Sequence, residues 1–250
     1  NFKVHTFTGP GTFCVSQIAS SSPENIVSYT IVGGGGGGMG GGAGAGGFRE
    51  VNSPSAPFTA SPLDGYGIST NRVTLTASAF PITVGAGGAG ASAGGDPPSG
   101  SAATASVFST ITAAKGGRGG QWGNSGFPNS DVNGGSGGGG GQRSPTGGGA
   151  GTGNDPSTSP PQGNDGGGSV ADGSACGGAG GGGGATAVGT AGTTGQSGAG
   201  GAGATNHITG SPVARAGGGG GGGRSPGSAL GAASPCGTGG AGSRTCSPGG

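Results

Sequence analysis

The run Gly33–Gly47, GGGGGGMGGGAGAGG, follows directly on the apolar, β-type segment Asn25–Val32, NIVSYTIV. The same junction recurs where Phe80–Val84 (FPITV) meets Gly85-Ala86-Gly87-Gly88, and where Pro212–Ala216 (PVARA) meets the glycines 217–223. Such a chain repeatedly feeds strand sequence into backbone almost free of side chains. With 76 glycines and 17 prolines in 250 residues, and only 28% hydrophobic residues, it has too little apolar area to offset the entropy of ordering a conventional core. Collagen is excluded, because no Gly-X-Y period is sustained and long pure-glycine runs would serve no purpose in it.

What bare backbone can do is pair. A polyproline-II helix has three residues per turn and no internal hydrogen bonds, so its N–H and C=O groups point outward and need partners. Glycine helices of this type, packed side by side, supply those partners to one another. Only glycine lets the backbones come that close, and Cα–H···O contacts add a little more. An interior helix must be almost pure glycine, whereas a peripheral one carries a side chain at every third position. The expected glycine core is Gly33, Gly34, Gly35, Gly36, Gly37 and Gly38, with Gly217, Gly218, Gly219, Gly220, Gly221, Gly222 and Gly223. Further glycine helices are read at 116–120, 133–141, 147–153, 163–168, 177–184, 189–203 and 237–242.

The alternating segments Phe2–Phe7, Phe13–Gln17 and Asn25–Val32 predict a meander of consecutive strands. Its expected core is Phe2, Val4, Phe13, Val15, Ile26, Ile31 and Val32. Phe48–Val51, Arg72–Thr76, Phe80–Val84 and Val107–Thr112 read as further strands. No amphipathic helical period occurs. The fold class expected is therefore mainly β plus polyglycine II: an N-terminal strand meander or sandwich, then a layered bundle of polyglycine II helices, with almost no α-helix. Residues 1–115 form the strand-rich attachment region with the first glycine segments, and 116–250 form the bundle with exposed break loops.

A net charge of +1 provides no field for nucleic acid or an anionic membrane surface. No apolar run approaches the ~20 residues that cross a bilayer. No secretory signal is present, and the start at Asn1 rather than Met reads as a processed or trimmed product. The GxGxxG matches arise by chance at this glycine content, and no crossover helix follows them. His5 and His207 have no nearby Ser or Cys arrangement that suggests a triad. Asp96, Asp155, Asp165 and Asp172 suit turns better than calcium, since no EF-hand spacing occurs. The expectation is a protein without catalysis, cofactor or metal. The cysteines Cys14, Cys176, Cys236 and Cys246 include no CxxC pair. Two readings stay open for them: a Cys236–Cys246 disulfide closing the C-terminal loop, or small buried thiols.

Binding groups concentrate in the breaks between glycine runs. Trp122 stands with Arg118, Gln121, Asn124 and Phe127, an aromatic and hydrogen-bonding set suited to recognition. The competing reading is that Trp122 and Phe127 pack over the end of the glycine bundle. Arg143, Arg215 and Arg224 flank glycine runs, where they can cap carbonyls or bind a ligand.

FKVHTFTGPGTFCV, VSYTIVGGGGGGMGGGAGAGGFREV and FPITVGAGGAG together resemble the glycine-rich domain of bacteriophage structural proteins. From VFSTITAAKGG onward the chain is similar in architecture to the tip adhesins of T-even-type phage long tail fibres. The resemblance implies a polyglycine II sandwich in a non-enzymatic virion protein on an extracellular appendage. Its turns would bind a bacterial outer-membrane protein or saccharide, and its other partners would be fibre or capsid proteins. A homotrimer fits the fibre resemblance, although no coiled-coil seam is present. The alternatives are a purely structural fibre or capsid-cementing protein and an ice-binding protein. The irregular Pro, Arg and Trp breaks argue against the last of these.

Overall fold

Strand pairing in the N-terminal part is set by aromatic burial rather than by chain order. The structure is a computed structural model describing residues 2–90, 103–121, 131–141, 148–170, 177–223, 229–236 and 239–242. Strands β1 (Gly11–Cys14), β4 (Ala79–Thr83), β5 (Ser106–Phe108) and β6 (Ile111–Ala113) form one antiparallel sheet in the order β1-β4-β5-β6. Two antiparallel pairs complete the regular structure, β2 (Tyr29–Val32) with β3 (Phe48–Val51) and β7 (Ala204–Asn206) with β8 (Val213–Arg215). Short 3₁₀ turns lie at Ser22–Asn25 and Ser69–Asn71, and no α-helix occurs among the described residues.

Phe13 on β1 lies opposite Phe80 on β4, and Ile82 opposite Phe108 on β5. Phe108 is the hub. Phe13, Tyr29 and Phe80 all meet its ring edge-on, at 6.2, 6.1 and 6.1 Å between centroids, the favourable arrangement for aromatic quadrupoles. Val51, Val73 and Ile111 close the cluster, with Ile31, Leu75 and Ile82 packed around it.

This topology corrects the expected meander, because β1 pairs with β4, far along the chain. Phe2–Phe7 forms no strand, and Phe2 and Val4 are 66% and 51% exposed instead of buried. Asn25–Val32 is shortened because Pro23 opens the first 3₁₀ turn. Arg72–Thr76 makes only a single bridge, Thr74 to Ile26. Val107–Thr112 is two strands rather than one, reversed at Ser109, whose φ of 54° places it in the left-handed region. Phe48–Val51 is a strand over the expected residues, and PVARA contains β8. The polar strand β7 was not anticipated.

The sheets run on into the glycine segments. Val32 lies opposite Phe48 at the end of the β2–β3 pair. In the same register, Gly33 N donates to Gly47 O (3.0 Å) and Gly36 N to Gly44 O (2.9 Å). The bonds now recur at every third residue, and the glycine hairpin reverses around Met39. Within 33–38 successive residues face three directions in turn. A Cβ on Gly33 or Gly36 would collide with the Ala114 or Gly117 carbonyl, and one on Gly34 or Gly37 with that of Ala86 or Ala89. On Gly35 or Gly38 it would meet open space.

Segment 179–185, AGGGGGA, is enclosed on all sides. Its N–H groups from Gly180 to Ala185 donate in turn to Gly140, Thr190, Gly219, Gly137, Ala187 and Ala216. Its carbonyls from Ala179 to Gly184 accept in turn from Gly198, Gly42, Gly167, Gly201, Ala45 and Asn164. Each partner segment recurs three residues later, so six neighbours satisfy the whole backbone without any side chain. The expected run 189–203 is broken at Gly195 (φ 78°), where Thr193 and Gln196 close a turn between two segments.

Candidate functional site

The loop 154–162, NDPSTSPPQ, is fastened to the glycine segments by two buried or half-buried amides. Asn154 adopts φ 51°, a conformation that Asn tolerates better than most residues. Its Oδ1 accepts from Thr158 N (2.9 Å), Thr158 Oγ1 (3.0 Å) and Gln162 N (3.1 Å), which closes the loop on itself. Gln162 is fully buried. Its Oε1 accepts from Ala114 N (2.8 Å), and its Nε2 donates to Pro156 O (2.6 Å). Its backbone carbonyl accepts from Phe48 N (2.8 Å), and Asn71 Nδ2 donates to Ser159 O (2.7 Å). The loop is thus tied to β3, to the end of β6 and to the second 3₁₀ turn, while Asp155, Pro156, Ser157, Ser159 and Pro161 remain exposed.

Beside it lies an open depression of about 350 Å³, lined by Ala105, Thr112, Ala114, Lys115, Asn133, Gly134, Asp155 and Pro156. An ammonium, a carboxylate, an amide and a hydroxyl surround a floor of alanine and proline. Lys115 Nζ is 4.0 Å from Asp131, and Asn133 Oδ1 accepts from Thr152 N (2.9 Å), so two of these groups are held in place. The arrangement offers donors and acceptors to a polar ligand at a preformed surface. Gln162→Ala should cost about 1–3 kcal/mol, by leaving the Ala114 N–H unpaired. It should also raise amide exchange across 155–161 while the exchange of 180–184 stays unchanged, as hydrogen-exchange mass spectrometry would read.

A second polar cluster fastens the β7–β8 hairpin to the N-terminal part. Glu50 on β3 is 2% exposed, and its carboxylate accepts from Ser61 N (3.2 Å to each oxygen), from Ser61 Oγ and from Asn206 Nδ2 (3.2 Å). Asn206 Nδ2 also reaches Thr30 Oγ1 (2.8 Å), and Arg215 Nη1 donates to Asn206 Oδ1 (3.1 Å). Burial holds the Glu50 carboxyl above the usual carboxylate range, although the bonds from Ser61 and Asn206 pull the other way. Burial likewise raises the Tyr29 hydroxyl, which donates to Asn71 O (2.6 Å), and lowers Arg49, which donates to Asn71 Oδ1 (2.5 Å).

A family model for a glycine-rich domain matches residues 8–250. The chain belongs to that family. Comparison of the glycine-rich domain with curated proteins and with solved structures gives no match. The match reaches nearly the whole chain, beyond the 1–90 stretch that carries the most specific motifs.

Among the recognition residues read from the sequence of this glycine-rich domain, Arg118 and Gln121 lie within the described residues. Arg118 is 8% exposed, and its Nη1 lies 3.7 Å from Asp131 Oδ2. Gln121 is half-buried beside it. Trp122, Asn124, Phe127, Arg143 and Arg224 lie outside the described residues, as does Cys246 of the expected disulfide. Cys236 Sγ accepts from Gly203 N (2.9 Å). Arg215 turns inward to Asn206. Of the glycines expected in the core, 217–223 includes the buried Gly217, Gly218 and Gly220–Gly223, whereas Gly35 and Gly38 are exposed. Asn154–Gln162 reads from the sequence as one of the break loops between glycine runs, whereas the individual roles of Asn154, Gln162, Glu50 and Asn206 were not anticipated. A proline-dense break bounded by two amides was the available signal for the first two.

Proposed function

We propose that this glycine-rich domain is a layered bundle of polyglycine II helices that acts as a stiff, non-catalytic scaffold. On it, break loops are displayed to a bacterial surface from a phage tail fibre or similar virion appendage. The observation that supports the scaffold is the pairing of 179–185: a three-residue recurrence with six neighbours is what parallel and antiparallel polyproline-II helices of glycine produce. A loop stapled at both ends and exposed at its tip supports the display role. Binding is favoured when loop ordering is completed before contact, since that entropy is then not lost on association. The sequence resemblance supplies the phage context and the receptor classes, an outer-membrane protein or a saccharide.

Cryo-EM of the assembled particle carrying this chain tests the reading. Loop 154–162 should project into solvent at the distal end of an appendage. Lys115→Ala with Asp155→Ala should then lower binding of the purified protein to host cells by at least about tenfold, with an unchanged melting temperature. A loop packed against capsid or fibre subunits would replace host recognition by a cementing role.

A further inference from the structure

Where the β7–β8 hairpin meets the β2–β3 pair, four groups of matched chemistry come together. Thr30 on β2 and Glu50 on β3 lie directly opposite each other in the register, so their side chains leave the same face of the pair. Asn206, from β7, reaches both. Its Nδ2 lies 2.8 Å from Thr30 Oγ1 and 3.2 Å from Glu50 Oε1. At the other end of the same amide, Arg215 Nη1 donates to Oδ1 at 3.1 Å. A guanidinium only donates and a carboxylate only accepts, so these two neighbours fix which end of the amide is the oxygen. Asn206 and Glu50 are 1% and 2% exposed. A hydroxyl, a carboxamide, a carboxylate and a guanidinium thus meet away from water.

We propose that Thr30 and Asn206 join through an intramolecular ester, formed once in the folded chain with release of ammonia. The hydrogen-bonded cluster is the state before reaction. Thr30 Oγ1 attacks Asn206 Cγ, the atom bonded to the nitrogen it already touches, so a small side-chain rotation brings it into line. Its proton passes to the carboxylate of Glu50, its cross-strand neighbour. The negative charge that develops on Oδ1 is held by the Arg215 guanidinium. Glu50 then hands the proton to Nδ2, the Cγ–Nδ2 bond breaks, and ammonia leaves. One C–O bond replaces one C–N bond, the hydroxyl proton ends on nitrogen, and no oxidant or co-reactant enters. Burial strengthens Glu50 as a base. Ser61 Oγ also binds Glu50, but on the other oxygen, Oε2, so Thr30 is the hydroxyl in reach of the amide. The usual side reaction of an asparagine, attack of the following backbone nitrogen on Cγ, is opposed because His207 N donates to Thr59 O (2.9 Å). The ester would link residues 176 apart in sequence, so that pulling the β7–β8 hairpin from the N-terminal part means breaking a covalent bond. The step has no turnover, and it stands independently of the host-binding reading.

Intact-mass spectrometry of the full chain, folded and incubated at neutral pH, tests it. The expected mass is below that of the sequence by one ammonia. After unfolding and digestion with trypsin, the peptide ending at Arg49 should be joined to the one ending at Arg215, and mild alkali should separate them. Thr30→Val should keep the full mass and give separate peptides, and Thr30→Ser should restore the link. The wild-type peptides decide the question even where Thr30→Val folds poorly. A wild-type chain of full sequence mass would overturn the proposal. So would ammonia loss that persists in Thr30→Val or leaves the two peptides separate, since a succinimide at Asn206 would then account for it.

Discussion

Gly182→Ala is expected to remove most of the stability of the protein. A Cβ on Gly182 would stand 2.8 Å from Gly44 N and nearer still to the Ala43 carbonyl, both backbone atoms of a segment that itself has partners on other sides. Relief by a side-chain rotation is not available. The segments must separate, and separation breaks bonds on both. Overpacking in ordinary cores costs roughly 1–3 kcal/mol because neighbours can shift; here the cost should exceed about 4 kcal/mol, in a protein whose total is roughly 5–15. Gly35→Ala is the matched control, since its Cβ would meet nothing. It should be neutral or stabilising by about 0.4–1 kcal/mol through the unfolded chain. In thermal melts the first variant should fall by roughly 10–20 °C or fail to fold, and the second should move upward by a few degrees. Equal losses in both would show that packing between glycine segments is not what selects glycine.

Glu50→Gln should cost about 2–4 kcal/mol, the second largest effect expected. Three donors converge on the carboxylate, from Ser61 N, Ser61 Oγ and Asn206 Nδ2. An amide offers one acceptor and turns its own N–H groups toward those donors. Arg215, drawn to the same cluster, loses its nearby negative charge. The pH dependence distinguishes this from simple mispacking. Burial raises the folded-state value of Glu50 above the unfolded value of 4.5. The folded protein therefore takes up the proton first, and the Glu50 contribution is fully present below the unfolded value and lost as pH rises through the folded one. Denaturant melts from neutral to acid pH should show the wild type gaining on the variant as pH falls, whereas a constant gap would mean that Glu50 does not titrate in that window.

The glycine segments were legible because their rule is local: a run of bare backbone needs outside partners, and no side chain has to be placed to know it. Phe48–Val51 was legible for a similar reason, being a β-type segment bounded by glycines on one side. The strand order was not. Nothing within Phe13 or Phe80 specifies that they face each other; that follows from Phe108, which draws together three aromatic rings distant in sequence. Phe2 and Val4 have the alternation of a buried strand, yet both are exposed, because the pattern alone does not supply the sheet that would cover them. Arg118 looked like a recognition residue because its spacing from Trp122 is visible and Asp131, its counter-ion, is separated from it by a break. The break Asn154–Gln162 was legible as a loop, but the fastening role of its two end amides was not, because an amide in a polar loop has no periodicity and the role exists only in bonds that cross the chain.

The hydrogen bonds around 179–185 recognise only peptide groups, and peptide groups are identical. Sliding this segment by three residues along its neighbours would restore nearly every bond it makes, so these glycine segments carry no address of their own. The address must be written at their ends. Val32 opposite Phe48 indexes the glycine hairpin that continues from β2 and β3, and Asn206 on Glu50 and Thr30 indexes the pair that continues from β7 and β8. The few conventional side chains of this protein thus work as alignment marks for a stack that cannot align itself.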